Sequence, residues 1–500
     1  MNKWLGLFAW GLLLAPNLAY AGDILDARID FPFADDNILR DAGEDRQSSP
    51  SASFTPPAGL RYTSFLHLGM YKSLDLGDHF VPEAALYLKL DVADKGTIRD
   101  DTSYIQLNYF VDGTEDRQRK VYLQLVPIDA DRMRLGYHHE ISWGGSDIFP
   151  KNFRGSLVPA AKLGIDIGEF YAFMGAKTAL VRSAAELKLD SDEGNTTLFV
   201  ERAYYGGFAG AGIQLFTPGL WLEINGGYFE KGTNNKAEVL GKPVHSWGLS
   251  GQLSYSHGVP IQRRIDLQLY RESPVRFDVT APTVESTDVS FRFAAEVTTL
   301  MQTLADIDKP GSTKNEYSLA GFFSAAMQFA DTRIHLDAGL RELSFITFNV
   351  PGFIPNAALP EEAEVTPEFS AVLSADHSFR NVGLTPFGQI GLQLPAVYEG
   401  KVLSGQNTSE SLQGIRKVVV RGLDPGDWDI LPEGEDPLPI IRGKAGLRYT
   451  YGGQFTLLGE LNYAYDPNRS QIRKDEFGIA HRRYIDPNIL GFGLLASMKF

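Results

Sequence analysis

The stretch LGFGLLASMKF, residues 490–500, carries apolar side chains at every second position. Between them lie two glycines, a serine, a lysine and one further leucine. Because successive side chains of a strand point to opposite faces, this spacing predicts a β-strand with one continuous apolar face. The apolar set is Leu490, Phe492, Leu494, Ala496, Met498 and Phe500.

The same alternation recurs upstream, which makes it a property of the whole chain. In each stretch apolar residues occupy one set of alternate positions, and charged or polar residues occupy most of the other. Each stretch therefore predicts a strand with one apolar and one polar face. The stretches are DRMRLGYHH (131–139), LWLEINGGYF (220–229), RRIDLQLY (263–270), TRIHLDAGLR (332–341) and QFTLLGELNYAY (454–465).

Two kinds of protein use such strands, and charge placement separates them. In a soluble sandwich the apolar face forms the core, whereas in a membrane barrel it faces lipid and the polar face lines a wet lumen. Charges of both signs fall inside the predicted strands, as at Arg264 and Asp266. Strands of about ten residues also suffice to cross a bilayer when tilted. We therefore predict a transmembrane antiparallel β-barrel.

Composition narrows the function classes. The 500 residues carry a formal net charge of -15, so binding to nucleic acid is not expected. The chain has no cysteine, which excludes disulfides, thiolate catalysis and cysteine-ligated metals. It has 50 glycines, 31 Phe and 21 Tyr, a mixture that favours strands and turns.

The first 21 residues resemble a secretory signal peptide. Lys3 supplies a positive charge, residues 4–15 are apolar, and Ala19-Tyr20-Ala21 fits a cleavage site. An uncleaved N-terminal anchor is the alternative, but the apolar stretch is too short to span a bilayer. We expect cleavage after Ala21 and export. No later run of 18 apolar residues occurs, so spanning by helices is not expected.

The connectors between predicted strands alternate in length. Short turns are predicted at 330–332, 380–382 and 451–453, and long connectors at 302–315, 348–365, 403–440 and 466–488. Bacterial barrels alternate short periplasmic turns with long extracellular loops. We predict about 18 strands, within a range of 16–20. The count is ambiguous through 272–316, where either VRFDVTA (275–281) is an extra strand or TTLMQTLADID (298–308) is not a simple loop.

Two segments do not read as barrel wall. Residues 22–60 are charged and rich in serine and proline, so we predict an N-terminal periplasmic or lumen-lying extension, with the barrel at 61–500. Residues 403–440 are acidic and proline-rich, which predicts a long extracellular loop. That loop either folds inward as a constriction or stays solvated.

With this pattern the chain resembles a Gram-negative outer-membrane β-barrel, without matching a particular porin family. In that class the barrel-assembly machinery reads a terminal strand ending in Phe, and Phe492, Leu494, Met498 and Phe500 fit this signal. The resemblance implies residence in the cell outer membrane. Large barrels that export polysaccharide are similar in size and strand number.

A search for catalytic chemistry finds one candidate stretch, GYHHEISWGGSDIF, residues 136–149. On a strand, His138 and His139 would point to opposite faces and could not share a metal. His138 and Glu140 would share a face and could meet one cation. The simpler interpretation is a strand entering a glycine-rich loop that folds back near Gly144. We therefore predict no enzyme activity, no metal site and no cofactor.

Charged residues on the predicted polar faces are the better candidates. A row of such groups inside a pore can guide or filter charged solutes. Alternatively, the groups pair with one another and brace the wall, because lumen positions must be polar in any case. The candidates are Arg132, Arg134, His138, Arg264, Asp266, Arg333, His335, Asp337, Arg341 and Glu460.

Sequence alone thus favours a porin-like channel that passes hydrophilic solute or polymer across the outer membrane. The rival function is a structural or docking barrel in an envelope-spanning machine, for polysaccharide export or surface motility. A barrel hydrolase is the weakest alternative, since no nucleophile–base pair stands out. Expected partners are outer-membrane lipid, the barrel-assembly machinery and periplasmic or envelope-machine proteins.

Overall fold

The computed structural model describes most of the chain between Asp26 and Lys499. The described ranges are 26–35, 65–91, 97–113, 119–149, 157–187, 196–234, 237–258, 289–348, 358–401, 415–421, 428–474 and 480–499. Secondary structure there is almost all β. The predicted signal peptide, Arg264, Asp266, Phe500 and the stretches 263–270 and 275–281 lie outside these ranges.

The strands are numbered in chain order: β1 (Asp26–Asp35), β2 (Phe65–Ser73), β3 (Phe80–Asp91), β4 (Thr97–Asp100), β5 (Tyr104–Phe110), β6 (Arg119–Val126), β7 (Ala160–Ile167), β8 (Phe170–Leu187), β9 (Thr196–Gln214), β10 (Leu220–Thr233), β11 (Pro243–His257), β12 (Ser290–Ala305), β13 (Thr313–Phe329), β14 (Thr332–Arg341), β15 (Glu364–Thr366), β16 (Glu368–His377), β17 (Leu384–Leu394), β18 (Ala396–Lys401), β19 (Ile415–Val420), β20 (Trp428–Ile430), β21 (Ile440–Tyr451), β22 (Phe455–Tyr465), β23 (Ser470–Lys474), β24 (Ala480–Tyr484) and β25 (Asn488–Lys499). One α-helix, α1 (Leu343–Phe348), follows β14.

Eighteen strands of the described chain pair antiparallel with a neighbour on each side, which confirms the predicted strand number. The first of them, β1, pairs with β2 on one edge and with the last strand, β25, on the other, so the pairings form a ring. The short strand β4 pairs with the C-terminal part of β3, Leu88 to Asp91. A separate small sheet consists of β15, β18, β19 and β20. A ring of this size encloses a lumen rather than a packed core of strand side chains.

The barrel begins earlier in the chain than the predicted boundary at residue 61. Residues 26–35 fall within the expected extension 22–60, yet they form β1, whose Arg28 to Asp35 pair with Lys499 to Phe492 of β25. Closing a sheet removes both of its edges, and β1 is the strand that closes this one. Residues 36–64 lie outside the described ranges.

The connectors lie alternately at two ends of the barrel, and the predicted alternation of short and long connectors is present from β13 to β25, whereas 258–289 is a long connector at the end that otherwise holds short turns. One end, the short-turn end, holds 168–169, 330–331, 378–383 and 452–454. The other, the long-loop end, holds 127–159, 342–367, 395–439 and 466–487. The connector predicted at 302–315 is shorter than expected, because β12 runs to Ala305 and β13 begins at Thr313. The stretch 298–308 is therefore mostly strand and not a loop.

Alternation along each strand separates an apolar outer face from a polar inner face. On β14, Ile334, Leu336 and Leu340 are each more than 40 % exposed, whereas Arg333 and Arg341 are buried. Large apolar side chains exposed in this way on every second residue form the lipid-facing surface of a transmembrane barrel.

Within the described ranges, no helix is long and apolar enough to cross a membrane.

Candidate functional site

The connector between β6 and β7 lies inside the barrel. Its described part near β6, residues 127–149, is here named the inward segment. It contacts inward-facing side chains of β8, β10, β11, β12, β13 and β14, which one chain segment can reach only from within the lumen. The strand predicted at 131–139 is therefore wrong. Gly136 has a φ of 91°, which breaks the extended conformation, and Met133 and Leu135 are buried among lumen residues instead of facing lipid.

The inward segment folds back on itself. Leu135 and Trp143 exchange two backbone hydrogen bonds of 2.6 and 2.9 Å. Arg134 ties the two arms together, because its guanidinium donates to the hydroxyl and the carbonyl of Ser142 at 3.0 and 3.1 Å. The expected fold-back lies earlier than Gly144, because the chain reverses between Leu135 and Trp143, although φ of Gly144 is also positive at 79°. These contacts lie within the segment, so part of its conformation does not depend on the barrel wall.

A carboxylate on the wall holds one side of the segment. Glu296 of β12 accepts hydrogen bonds from the backbone N–H groups of Tyr137 and His138 at 2.9 and 2.6 Å. The preceding N–H, that of Gly136, donates to the side-chain oxygen of Asn225 on β10 at 2.9 Å. Three successive backbone N–H groups are thus satisfied by wall side chains, two of them by the carboxylate of Glu296.

A lysine on the wall holds the opposite arm. The ammonium of Lys177 on β8 donates to the carbonyl oxygens of Ala130 and Gly144, at 2.9 and 2.6 Å, and also to that of Met133. Lys177 is 2 % exposed, so its charge lies in a dry environment where such bonds are strong. The three carbonyl oxygens all belong to the inward segment.

Apolar packing completes the attachment. Trp143 packs edge-on against Phe229 of β10, with ring centroids 5.8 Å apart, and its indole N–H donates to Ser250 of β11 at 3.1 Å. Buried residues of the segment join buried residues of the wall in one cluster. Its members from the segment are Ala130, Met133, Leu135, Ile141, Trp143, Ile148 and Phe149.

His138 and Glu140, which the sequence places on one strand face, are in contact on the inward segment and not on a wall strand. The imidazole Nδ1 lies 2.8 Å from a carboxylate oxygen of Glu140. The imidazole ring stacks on Phe322 of β13 with centroids 3.4 Å apart. Groups of three or more metal-ligating side chains do not occur in the described part of the chain.

The base of the segment carries a titratable group. Asp129 lies between Asp100 and Asp131, and its carboxylate accepts the N–H of Asp131 at 3.0 Å. Burial, followed by the negative charge of Asp131, raises the pKa of Asp129 to about 6. Arg132 does not line the wall as expected, since it pairs with Asp101 at 3.1 Å where β4 passes into β5.

The predicted lumen residues on β14 and β22 face inward, and Arg333, Arg341 and Glu460 among them contact opposite charges on neighbouring strands. Arg333 binds Asp376 at 3.0 Å, and Arg341 binds Glu368 at 2.8 Å. Glu460 lies 3.5 Å from Lys444. These contacts are those of wall-bracing charges. His335 is buried beside Arg333, and Asp337 is partly exposed.

The terminal strand has the predicted orientation over its described part. Leu494 is exposed on the outer face, and Phe492 and Met498 on the same face are half-buried. Ser497 on the opposite face is buried.

The anchors of the segment, Lys177, Asn225 and Glu296, were not among the predicted residues. Lys177 is the single charged residue of the run YAFMGAKTALV, whereas Glu296 in FRFAAEVTTL shares its strand face with Arg292. Only Lys177 therefore stood out in the sequence as a lone charge.

At the long-loop end, α1 and the small sheet of β15, β18, β19 and β20 form a second packed unit, here named the loop cap. Arg421 lies at its base, 2.8 Å from Asp429 and also bonded to Asp466. Burial raises the pKa of Asp429. The buried apolar core of the cap consists of Leu343, Ile346, Ala396, Tyr398, Val418, Val420 and Ile430.

Solved structures similar to this chain are outer-membrane proteins. OpdQ of Pseudomonas aeruginosa is 10% identical, with 95% of this chain and 97% of that chain covered and a TM-score of 0.40. OmpF of Salmonella typhi, in complex with daunomycin, is 8% identical over 95% and 97%, with a TM-score of 0.38. OmpT of Vibrio cholerae is 8% identical over 95% and 96%, with a TM-score of 0.35. No protein-family model and no curated protein matches the chain.

Proposed function

We propose that this protein is an outer-membrane channel for a hydrophilic solute, narrowed by the inward segment. The observation that carries the proposal is the attachment of that segment to Glu296 and Lys177 inside a ring of eighteen strands. A segment fixed to the wall at two charged points narrows the lumen to a defined shape. A defined constriction is what a selective pore requires.

The inner face supports an aqueous path. Its wall positions carry charged and amide side chains such as Arg333, Asp376, Gln393 and Glu460, and the outer face carries apolar ones. Pairing of these charges across strands keeps the wall polar without a large net field. We therefore propose passage of small hydrophilic solutes, with discrimination at the inward segment and not at the paired charges of β14.

We place the short-turn end in the periplasm and the long-loop end outside the cell, in keeping with the general plan of bacterial barrels. The signal-like residues 1–21 and the terminal strand at 492–500 support export and insertion by the barrel-assembly machinery. We propose no catalytic role. His138 is turned to Glu140 and Ser142 to Arg134, so the two do not form a nucleophile–base pair.

The loop cap favours a second candidate, a barrel that docks to other envelope proteins. A connector with its own apolar core and a buried Arg421 network presents a fixed surface, unlike a solvated loop. Polysaccharide export or surface motility would be served by such a surface.

Single-channel recording separates the two candidates. Purified protein is refolded into a planar bilayer and compared with E296A, which removes the acceptor for two N–H groups of the inward segment. A channel gives steps of fixed size whose amplitude or noise rises in E296A. If both proteins are folded and silent, the channel is excluded and the docking role is the one to pursue, by pull-down of envelope proteins with and without residues 405–438.

A further inference from the structure

The wall of the barrel has a kink where β4 passes into β5. Over its first half β3 pairs with β5, and over its second half it pairs with β4. The link, residues 101–103, contains Thr102 with a φ of 72°. Two contacts hold it, from the Asp101 N–H to the carbonyl of Tyr87 at 2.9 Å and from the Tyr87 N–H to the hydroxyl of Ser103 at 3.0 Å. The kink is therefore a built feature of the wall.

A cavity of about 270 Å³ lies at this kink and opens on the lipid-facing side. Met70 is paired with Leu86, and Lys72 with Ala84, while Tyr71 between them is buried in the lumen. By alternation these four side chains point outward. The outward side chains that line the cavity are Met70, Lys72, Ala84, Leu86, Ile105 and Pro127.

The lining is apolar apart from one charge. A lysine on the lipid-facing side is costly at the bilayer midplane and tolerated near the headgroups. Lys72 is the penultimate residue of β2, at the short-turn end, so its ammonium can reach the headgroup level along its own aliphatic chain. The cavity therefore combines an apolar slot in the hydrocarbon region with a cation at the level of lipid phosphates.

We propose that this cavity binds one acyl chain of a glycerophospholipid and that Lys72 binds the phosphate of the same lipid. The small side chain of Ala84 leaves the slot open, and burial of methylene groups fills it. A protein partner fits less well, because the cavity is small, about 270 Å³, and its outward lining is that of a lipid-facing surface. The proposal is independent of the channel function.

Native mass spectrometry of the folded protein tests this site. Protein is reconstituted in bilayers of phosphatidylglycerol and phosphatidylethanolamine, released into mild detergent and weighed. Wild type should retain one phospholipid. A84W, which fills the slot, should reduce retention at least tenfold, and K72Q several-fold. A295W, at an exposed alanine on the outer face of β12, is the matched control and should retain lipid like wild type.

Folding of each variant is checked by the mobility shift of unheated samples in gels. If A84W fails to fold, A84L replaces it, with the same expected loss. Equal retention in wild type, K72Q and the filled variant overturns the proposal. A dimer that A84W or A84L abolishes, in place of a lipid adduct, also overturns it by assigning the slot to a second copy of the chain.

Discussion

Lys177 of β8 and Glu296 of β12, four strands apart in the wall, hold one chain segment with complementary chemistry. The ammonium of Lys177 donates hydrogen bonds to the backbone carbonyls of Ala130, Met133 and Gly144. The carboxylate of Glu296 accepts hydrogen bonds from the backbone N–H groups of Tyr137 and His138. Each anchor binds the backbone and not side chains, so the segment is fixed by its path through the lumen.

Replacing Glu296 should loosen the inward segment. In E296A two buried N–H groups lose a charged acceptor, which costs roughly 1–3 kcal/mol of docking free energy for each unsatisfied group. E296Q keeps one acceptor oxygen and should lie between E296A and wild type. Single-channel current should become noisier or larger in that order, and identical traces from all three would contradict the role assigned to Glu296.

Replacing Lys177 should also loosen the inward segment, because its carbonyl groups lose their donor. K177M removes the donor for three carbonyl groups, and backbone amide exchange in residues 127–149 should accelerate at least tenfold. Hydrogen–deuterium exchange measured by mass spectrometry reads this directly. K309M, at an exposed lysine in the 306–312 connector, is the control and should leave exchange unchanged. Acceleration spread over the whole barrel would instead mean general destabilisation.

Docking of the segment should weaken as pH rises. The pKa of Asp129 in the folded protein is about 6, above the ordinary 3.8, so the folded state holds the proton more tightly than the unfolded state. The stabilising contribution is complete below about pH 4 and lost as pH passes through 6. Current transitions should be more frequent at pH 7 than at pH 4.5 in wild type. D129N, which stays neutral, should reduce this pH dependence, and an unchanged pH profile in D129N would contradict the role assigned to Asp129.

Closure of the ring by β1 can be tested with cysteines, since the chain has none of its own. Ile29 and Met498 are directly paired, and paired residues of antiparallel strands have Cα atoms roughly 4.5–5.5 Å apart, within disulfide range. Oxidised I29C/M498C should therefore form an internal cross-link. The control I29C/L495C, offset by three residues along the strand, should not. Absence of the first cross-link in folded protein would contradict the ring.

The lipid-facing assignment of β14 predicts depth-dependent effects of a charge. L336R places arginine near the middle of the outer face and should cost ~2–4 kcal/mol of folding free energy. F329R lies at the short-turn end of β13 and should cost about 1 kcal/mol or less. Urea titration of protein refolded in lipid vesicles measures both. Equal losses would place the two residues at the same depth.

The barrel architecture could be predicted from the sequence because most strands alternate apolar and polar residues with a period of two. The stretches 220–229, 332–341 and 454–465 form strands close to their predicted bounds. In β1 the same alternation is present, with Ala27, Ile29, Phe31 and Phe33 on one set of positions, but a proline and four charged residues obscure it. The local alternation is sufficient to predict a strand where the two faces of that strand differ clearly in polarity.

The inward segment could not be inferred in this way. Met133, Leu135 and Tyr137 alternate with polar residues as a wall strand would, yet they are lumen residues of a folded-back connector. The difference lies in partners as distant in sequence as Arg341, 201 residues from Glu140, and one sequence does not reveal such contacts. The role of Lys177 could not be predicted either, because its partners are three backbone carbonyl groups, and the sequence does not show which carbonyl groups lie near it.

The pairing of β1 with β25 sets an order for the making of this barrel. The first strand to leave the ribosome gains one of its two permanent neighbours only when the last twelve residues of the described chain have arrived. The inward segment likewise precedes Glu296 in the chain, since six wall strands, β7 to β12, follow it and the last of them carries that carboxylate. Closure of the ring and docking of the segment therefore both depend on residues that are synthesised later.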